Sequence, residues 1–501
     1  MPLAVLLLVS LALLQNADGE LAAADDPRAA VFIPDLCAPN EGAPPAQNLG
    51  KLILLTDLAP GDPYRAVVDL LAEGKDAAAV LEFPPARPAE ARSALLEHLP
   101  EFVILVTRPE RIDVNIHLEL LELAAGLDAD PFADFAFGYV TGATADEAME
   151  FARRIVTAER RRLPRTLLRF GPAARSSYGG PAASNVAKGW KETHASHATL
   201  DEFRERVKDL GGYGMVRAGG HGMPDGIVDG LKGKDLRALQ IDFSPAVYFS
   251  GPCYCGVTGP WYELEGGAMR RREIDPPESF GLAAIASGVT ALFAGLDPDR
   301  GETTSQEMEH LLIHGDALGH AAKETYDGAA VALRRPRLEF YRYEDGKQRP
   351  QRNLSVRMIG SGAARALFGD PSFVPWKAAA APPFPVRLRD RKDALHVSWQ
   401  AREAPTKYWM SVDVFHGEGG WTHRIQFREE IPLQTAAALR SFAVLRVEAH
   451  DGPLEVRFPT AMIERWGGKA YLHVYLVFPP AGEKNAFFVN RDYDASFRFG
   501  K

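Results

Sequence analysis

Two short apolar runs of this sequence end in residue types suited to nucleophilic catalysis. One passes through Met215-Val-Arg-Ala218 and two glycines to His221-Gly222; the other passes through Val247-Tyr-Phe-Ser250, Gly251 and Pro252 to Cys253-Tyr-Cys-Gly256. A thiol attacks as thiolate, and a neighbouring imidazole lowers its pKa or takes its proton. His221 is therefore the candidate general base and Cys253 the candidate nucleophile. Glycines around His221 leave room for a substrate backbone, and the amides of Gly222 and Cys253 are candidates for the oxyanion hole of a tetrahedral intermediate. Taken singly, a strand-end histidine is often a satisfied polar residue and a cysteine often a core filler. The pair, 32 residues apart in matching frames, is far more specific. If the two runs are parallel neighbours, both residues emerge at the carboxyl edge of a sheet, where open α/β sheets place their ligands.

Cys255 leaves three readings open: a bystander, a partner of Cys253 in a strained Cys-x-Cys disulfide, or the alternative nucleophile. Asp225 and Asp229 follow His221 and Trp261 follows Cys253, so these three are candidate substrate-pocket residues. An acidic pocket would prefer Arg or Lys at the cleavage site. Other motifs carry less. His194 and His197 have no third ligand at suitable spacing, and zinc needs three or four. Gly179-Gly180 and Gly219-Gly220 lack the Gly-Lys-Ser/Thr of a phosphate loop. Asn353-Leu-Ser355 fits a glycosylation sequon, and Arg270, Arg271 and Arg272 read as a solvated turn. No metal or cofactor is expected.

The elements that must position the pair are legible as alternation. Residues 52–55, 78–83 and 102–106 are apolar runs of strand length, separated by helical patterns at 64–73 and 88–98. Such alternation predicts βαβ units and a mostly parallel sheet. Capping boxes, Thr144 to Glu147 and Thr199 to Glu202, open two further helices. Another strand is expected at 166–170, and 171–186 reads as a loop rich in Gly, Ser and Ala. The texture changes after Pro375. Residues 378–385 read as a Pro-rich linker, and runs at 395–399, 409–415, 425–427, 442–448, 455–458 and 471–478 suggest a β-sandwich. One helical interruption is expected there, at 435–440 or 461–466.

With 501 residues the chain exceeds one ordinary core. Its 46% hydrophobic and 25% charged residues fit a soluble globular protein, and a net charge of −9 gives no reason to expect a nucleic-acid partner. Residues 3–14 are almost continuously apolar, too short to span a bilayer but suited to a signal peptide, with small residues offering cleavage after Gly19 or Ala24. Export is the expected localisation, with no membrane span in the mature chain. Three cysteines, Cys37, Cys253 and Cys255, are too few for a disulfide framework.

His-Gly after one apolar strand and Cys-x-x-Gly after the next resembles the clan of caspases, legumains and gingipains, most closely the gingipain-type cysteine peptidases. Further stretches are similar in chain order: residues 134–140 with the helix to Glu159, 279–293, 311–322, and Leu367-Phe-Gly-Asp-Pro-Ser-Phe373. Together the likeness spans about residues 50–376. It implies a caspase-like α/β fold, a mostly parallel sheet with helices on both faces, followed by a C-terminal all-β sandwich. The expected division is a signal peptide at 1–24, an N-terminal α/β subdomain at 25–175, a catalytic subdomain at 176–377, the linker, and the sandwich at 386–501. The implied activity is that of a cysteine endopeptidase on protein or peptide substrates. Three positions depart from the family: Pro252 stands where Ala is usual, Tyr139 replaces an Arg, and no acid follows the strand at 166–170. These departures favour the alternative, a catalytically inactive caspase-like module that binds peptide.

Overall fold

The computed structural model describes residues 28–37, 48–84, 90–158, 163–171, 190–195, 203–205, 207, 212–298, 307, 310–332, 334, 340, 342–348, 363–378, 385–405, 411–412, 421–449, 452–478 and 490–501. The expected signal peptide, the second capping box, the sequon, His197 and most of the linker lie outside them. The first half of the α/β unit alternates as its sequence does: β2 (Asn48–Thr56), α1 (Arg65–Gly74), β3 (Ala79–Glu82), α2 (Ala91–His98), β4 (Pro100–Val106), α3 (Val114–Ala124), β5 (Ala136–Val140) and α4 (Ala145–Ala158). Helix α1 buries Val67, Val68 and Leu71 on one stripe. At α4 the Glu147 amide donates to Thr144 Oγ1 at 3.2 Å. The Glu147 carboxylate accepts from the Ala143 amide, one residue before the expected cap, and also takes Arg237 at 2.5 and 3.1 Å.

The second half contains β6 (Thr166–Phe170), β7 (Lys191–Ala195), β8 (Met215–Ala218), the two-residue strands β9 (Gly222–Met223) and β10 (Gly226–Ile227), α5 (Gly233–Leu239) and β11 (Val247–Ser250). A hairpin, β12 (Pro260–Glu265) and β13 (Ala268–Glu273), precedes α6 (Phe280–Ala286), β14 (Ala291–Gly295), α7 (Leu318–Ala332) and β15 (Arg365–Phe368). One ten-stranded sheet runs β3-β2-β4-β5-β15-β14-β11-β8-β6-β7. Every pairing in it is parallel except β14 with β15. Helices cover both faces, as the alternation within β11 shows. Val247 and Phe249 pack in one layer with Leu318 and Ala321 of α7. Tyr248 packs in the opposite layer with Leu236 of α5 and Phe280 of α6. That period of two is what a sheet buried on both sides requires.

Two sheets form the C-terminal sandwich. One is β16 (Val386–Asp390), β17 (Ala394–Pro405), β24 (Asn490–Gly500), β20 (Ser441–Ala449) and β21 (Gly452–Pro453), in the order 16-17-24-20-21. The other runs β1-β22-β23-β19-β18, where β1 is Val31–Ile33, β18 Ser411–Val412, β19 Trp421–Ile431, β22 Arg457–Trp466 and β23 Lys469–Phe478. The helical interruption is α8 (Leu433–Ala438), so 461–466 is strand, not helix.

Four expectations change. Val31–Ile33 does not join the α/β unit; it pairs in parallel with β22, and Phe32 meets Phe499 edge to face at 6.1 Å. Strand β6, counted in the N-terminal subdomain, pairs with β7 and β8 of the second half. The stretch 311–322 breaks at Gly315, at φ +68°, into a π-helical turn (His310–His314) and α7. Arg270, Arg271 and Arg272 lie in β13, where Arg272 reaches Glu263 and Glu265 across the hairpin at 3.3 and 2.7 Å.

Candidate active site

Parallel register sets the two strand ends level. Ala218, the last residue of β8, pairs with Ser250, the last of β11. His221 and Cys253 therefore each lie three residues past a matched pair, at the carboxyl edge of adjacent strands. The close approach is made by Gly222. A methyl group at its α-carbon would sit 2.3 Å from the Cys253 carbonyl oxygen and 2.6 Å from Pro252 Cβ, inside contact distance, so only glycine fits. His221 is exposed, and its carbonyl accepts from the Val228 amide at 2.9 Å, which fixes the backbone of the histidine segment. Gly222→Ala is expected to force the two segments apart and slow thiol labelling at Cys253 at least tenfold, while the far sandwich stays folded; stopped-flow alkylation checks it.

The cysteine segment turns sharply. Tyr254 holds φ at +57°, in the left-handed region that non-glycine residues rarely enter. Its amide reaches the Asp297 carbonyl at 3.5 Å, and the Gly256 amide donates to Gly295 at 2.8 Å. Ser279 caps α6 and donates through Oγ to the Val257 carbonyl at 2.6 Å, which ties the helix to the turn. The turn sends the two thiols to different places. Cys253 is half-buried, whereas Cys255 is fully buried, with its Sγ 3.8 Å from the Met223 carbonyl. Burial pushes the Cys255 thiol up, away from the thiolate a nucleophile needs. That burial speaks against Cys255 as the alternative nucleophile, and no disulfide joins it to Cys253.

A cavity of about 630 Å³ adjoins the turn. Met223, Asp225, Trp261, Glu110, Asp275 and Glu278 contribute to its lining, the last three from the loops after β4 and β13. Asp225 is neutralised by Lys232 Nζ at 3.1 Å, and Glu273 by Arg271 at 2.9 Å. Glu110, Asp275 and Glu278 carry the remaining charge of the lining. Asp229 is not part of this wall; it sits exposed on the turn after β10 with φ +55°. Trp261 is the shared element, since its ring also meets Tyr254 edge to face at 5.0 Å.

One feature of the site has no counterpart among the expected residues. Arg365, buried at the start of β15, donates to the Ser250 carbonyl at 2.6 Å and the Phe293 carbonyl at 3.2 Å, and forks onto Glu307 at 2.7 and 2.8 Å. It clamps the end of β11 to the middle of β14. Its sequence signal is a lone arginine inside an apolar run, Ala363-Ala-Arg365-Ala-Leu-Phe368.

Among the described residues two clusters have the donors for a cation. Cys37, Asp128 and Asp130 form one, and Glu324, Asp327 and Glu464 the other. The second is met by Lys323 and Arg428. In the first, Cys37 and the Arg465 amide approach Asp130 at 3.8 and 3.1 Å. His194 pairs with Glu192 at 3.0 Å, which Arg169 also takes.

No family model matches the chain, and no curated protein sequence matches it. Among solved structures, one described as a protease aligns at 11% identity and a TM-score of 0.44, over 70% of this chain and 86% of that one. The Arg-specific cysteine proteinase gingipain R aligns at 12% identity and a TM-score of 0.43, over 85% of this chain and 91% of its own.

Proposed function

We propose that this chain is an exported cysteine peptidase with Cys253 as nucleophile and His221 as base. In the proposed reaction the Cys253 thiol gives its proton to His221 and the sulfur attacks the scissile carbonyl carbon. The amides of Gly222 and Cys253 donate to the oxyanion. His221 then returns the proton to the leaving amine as the C–N bond breaks; in the second half it draws a proton from the attacking water and passes it to the Cys253 sulfur as the C–S bond of the thioester breaks. The observation that carries the reading is the seating of Gly222 against the Cys253 backbone, with Ala218 and Ser250 in register behind it.

Its test is a peptidyl acyloxymethyl ketone, with the adduct located by mass spectrometry. An adduct on Cys253 is expected; an unlabelled folded protein rejects the reading. The export half has its own check, since intact Met1 on natively exported material would reject it.

The cavity beside the turn supports a substrate with a basic side chain. Three carboxylates of its lining, Glu110, Asp275 and Glu278, lack a compensating charge in the wall. A probe with Arg at the position before the reactive carbonyl is expected to label about ten- to a hundredfold faster than one with Glu, because like charges across a contact cost several kcal/mol. The paired substitution Asp275→Asn with Glu278→Gln should shrink that ratio. Equal rates for the two probes would remove the cavity from the recognition scheme.

A further inference from the structure

We propose that Tyr254 is a positioning residue that couples the wall of the acidic cavity to the nucleophile turn. This rests on the reading of Cys253 as a reactive thiol. Backbone in the left-handed region persists at a bulky residue only where the surroundings over-determine it, and three contacts hold Tyr254 there. Its ring packs edge to face on Trp261, with ring centroids 5.0 Å apart and planes at 65°. Its amide points to the Asp297 carbonyl at 3.5 Å, and its carbonyl accepts from the Val257 amide at 3.0 Å.

The first two supports lead back to one hairpin. Trp261 and Tyr262 are consecutive residues of β12. Tyr262 packs against Tyr343 at 5.6 Å, and the Tyr343 hydroxyl donates to Asp297 Oδ2 at 2.7 Å. Asn115 ties the two tyrosines together, donating to the Tyr262 hydroxyl at 3.3 Å and the Tyr343 carbonyl at 2.9 Å. A closed circuit results, from Tyr254 through Trp261, Tyr262, Tyr343 and Asp297 back to Tyr254. Movement of β12 acts on both the ring and the amide of Tyr254. The residue immediately before it is Cys253, so the circuit sets where that thiol points. Since Trp261 lines the cavity, a side chain that fills the cavity presses on the same circuit. Recognition and thiol orientation are thereby joined through one residue.

The probe that separates positioning from simple lining is iodoacetamide, which is small, uncharged and independent of the cavity. The full chain is alkylated and the second-order rate at Cys253 is read by peptide mass spectrometry. Trp261→Ala and Tyr254→Gly are each expected to slow alkylation about five- to tenfold, the factor that the loss of one edge-to-face ring pair corresponds to. Glycine adopts the left-handed region freely, so Tyr254→Gly removes the ring without adding strain. Tyr254→Phe and Trp261→Phe keep a ring and should keep the rate. The double variant should be no slower than the slower single one, because both remove the same contact. Unchanged iodoacetamide rates in Trp261→Ala, with weaker binding of a cavity-filling peptide probe, would mean that Trp261 only lines the cavity and would overturn the coupling. Absence of Cys253 alkylation in the unaltered protein is a separate result that removes the nucleophile assignment and the coupling with it. If Trp261→Ala does not fold, the Tyr254→Gly and Tyr254→Phe pair decides alone: equal rates overturn the proposal.

Discussion

Cys253→Ala is expected to abolish both turnover and covalent labelling, and His221→Ala to slow labelling by about 10²- to 10⁴-fold, the range of a general base in a transition state. Cys255→Ala should leave most of the labelling intact, because its sulfur is buried against the Met223 carbonyl on the far side of the Tyr254 turn. The three variants form a set. Loss with Cys253→Ala alone confirms the order of thiols; loss with Cys255→Ala alone would move the nucleophile two residues and require the turn to rearrange. Retention of peptide affinity in Cys253→Ala, together with no turnover in the unaltered chain, would favour a peptide-binding module instead. Pro252 is the residue to watch in that outcome, since its Cβ lies against Gly222 beside the Cys253 backbone.

The placement of His221 and Cys253 at neighbouring strand ends was legible because each follows a short apolar run and is followed closely by glycine, a signal contained within ten residues. The fate of Cys255 was not. Residues two apart on a strand share a face, and only the left-handed Tyr254 separates the thiols. A non-glycine residue in that conformation leaves no trace in composition. Asp225 and Asp229 both follow His221 within one short segment, yet one meets Lys232 beside the cavity and the other occupies an exposed turn. Glu110, Asp275 and Glu278 had no sequence signal at all, because they converge from two loops distant in sequence, after β4 and after β13.

The same distinction governs the fold. The alternating strands and helices between β2 and β5 follow local periodicity and were readable. Strand β1 was not, because three residues give no period and its partner β22 lies more than 400 residues away. Strand β24 was missed although its signal was present: Tyr493, Ala495, Phe497 and Phe499 alternate and are buried. It is the strand that joins β17 to β20. Strand β13 exposes four consecutive charged residues, Arg270 to Glu273, instead of alternating, so the arginine run gave the wrong picture of a turn.

Lys323→Met should destabilise the whole chain by about 3–5 kcal/mol, because it strands buried carboxylates at the seam between the two units. Lys323 on α7 meets Asp327 on the same helix and, at 2.5 Å, Glu464 on β22; all three are buried. Arg428 on β19 joins Glu464 to Glu324 of α7 at 2.9 and 3.0 Å, and His473 on β23 reaches Glu464 at 2.7 Å. Phe132, from the loop before β5, stacks on His473 at 4.5 Å. The loss is a large share of the stability of a typical domain, so a fall of the unfolding temperature in calorimetry checks it. The pH dependence carries two signs. Burial alone would raise Glu464, but Arg428, Lys323 and His473 hold its carboxyl well below the usual range. Its contribution is present above the unfolded value of about 4.3 and is lost as pH falls below it. Burial pushes Asp327 up to about 7 although Lys323 opposes it. That contribution is complete below about 3.9 and is lost as pH rises through about 7. Stability should therefore peak between these limits, on the acid side of neutrality. Asp327→Asn keeps the shape and removes the titration, so its unfolding temperature should no longer decline between about pH 5 and 7 from this source. An unchanged slope in that variant would assign the decline to other groups and leave the Lys323 pair without a role in it.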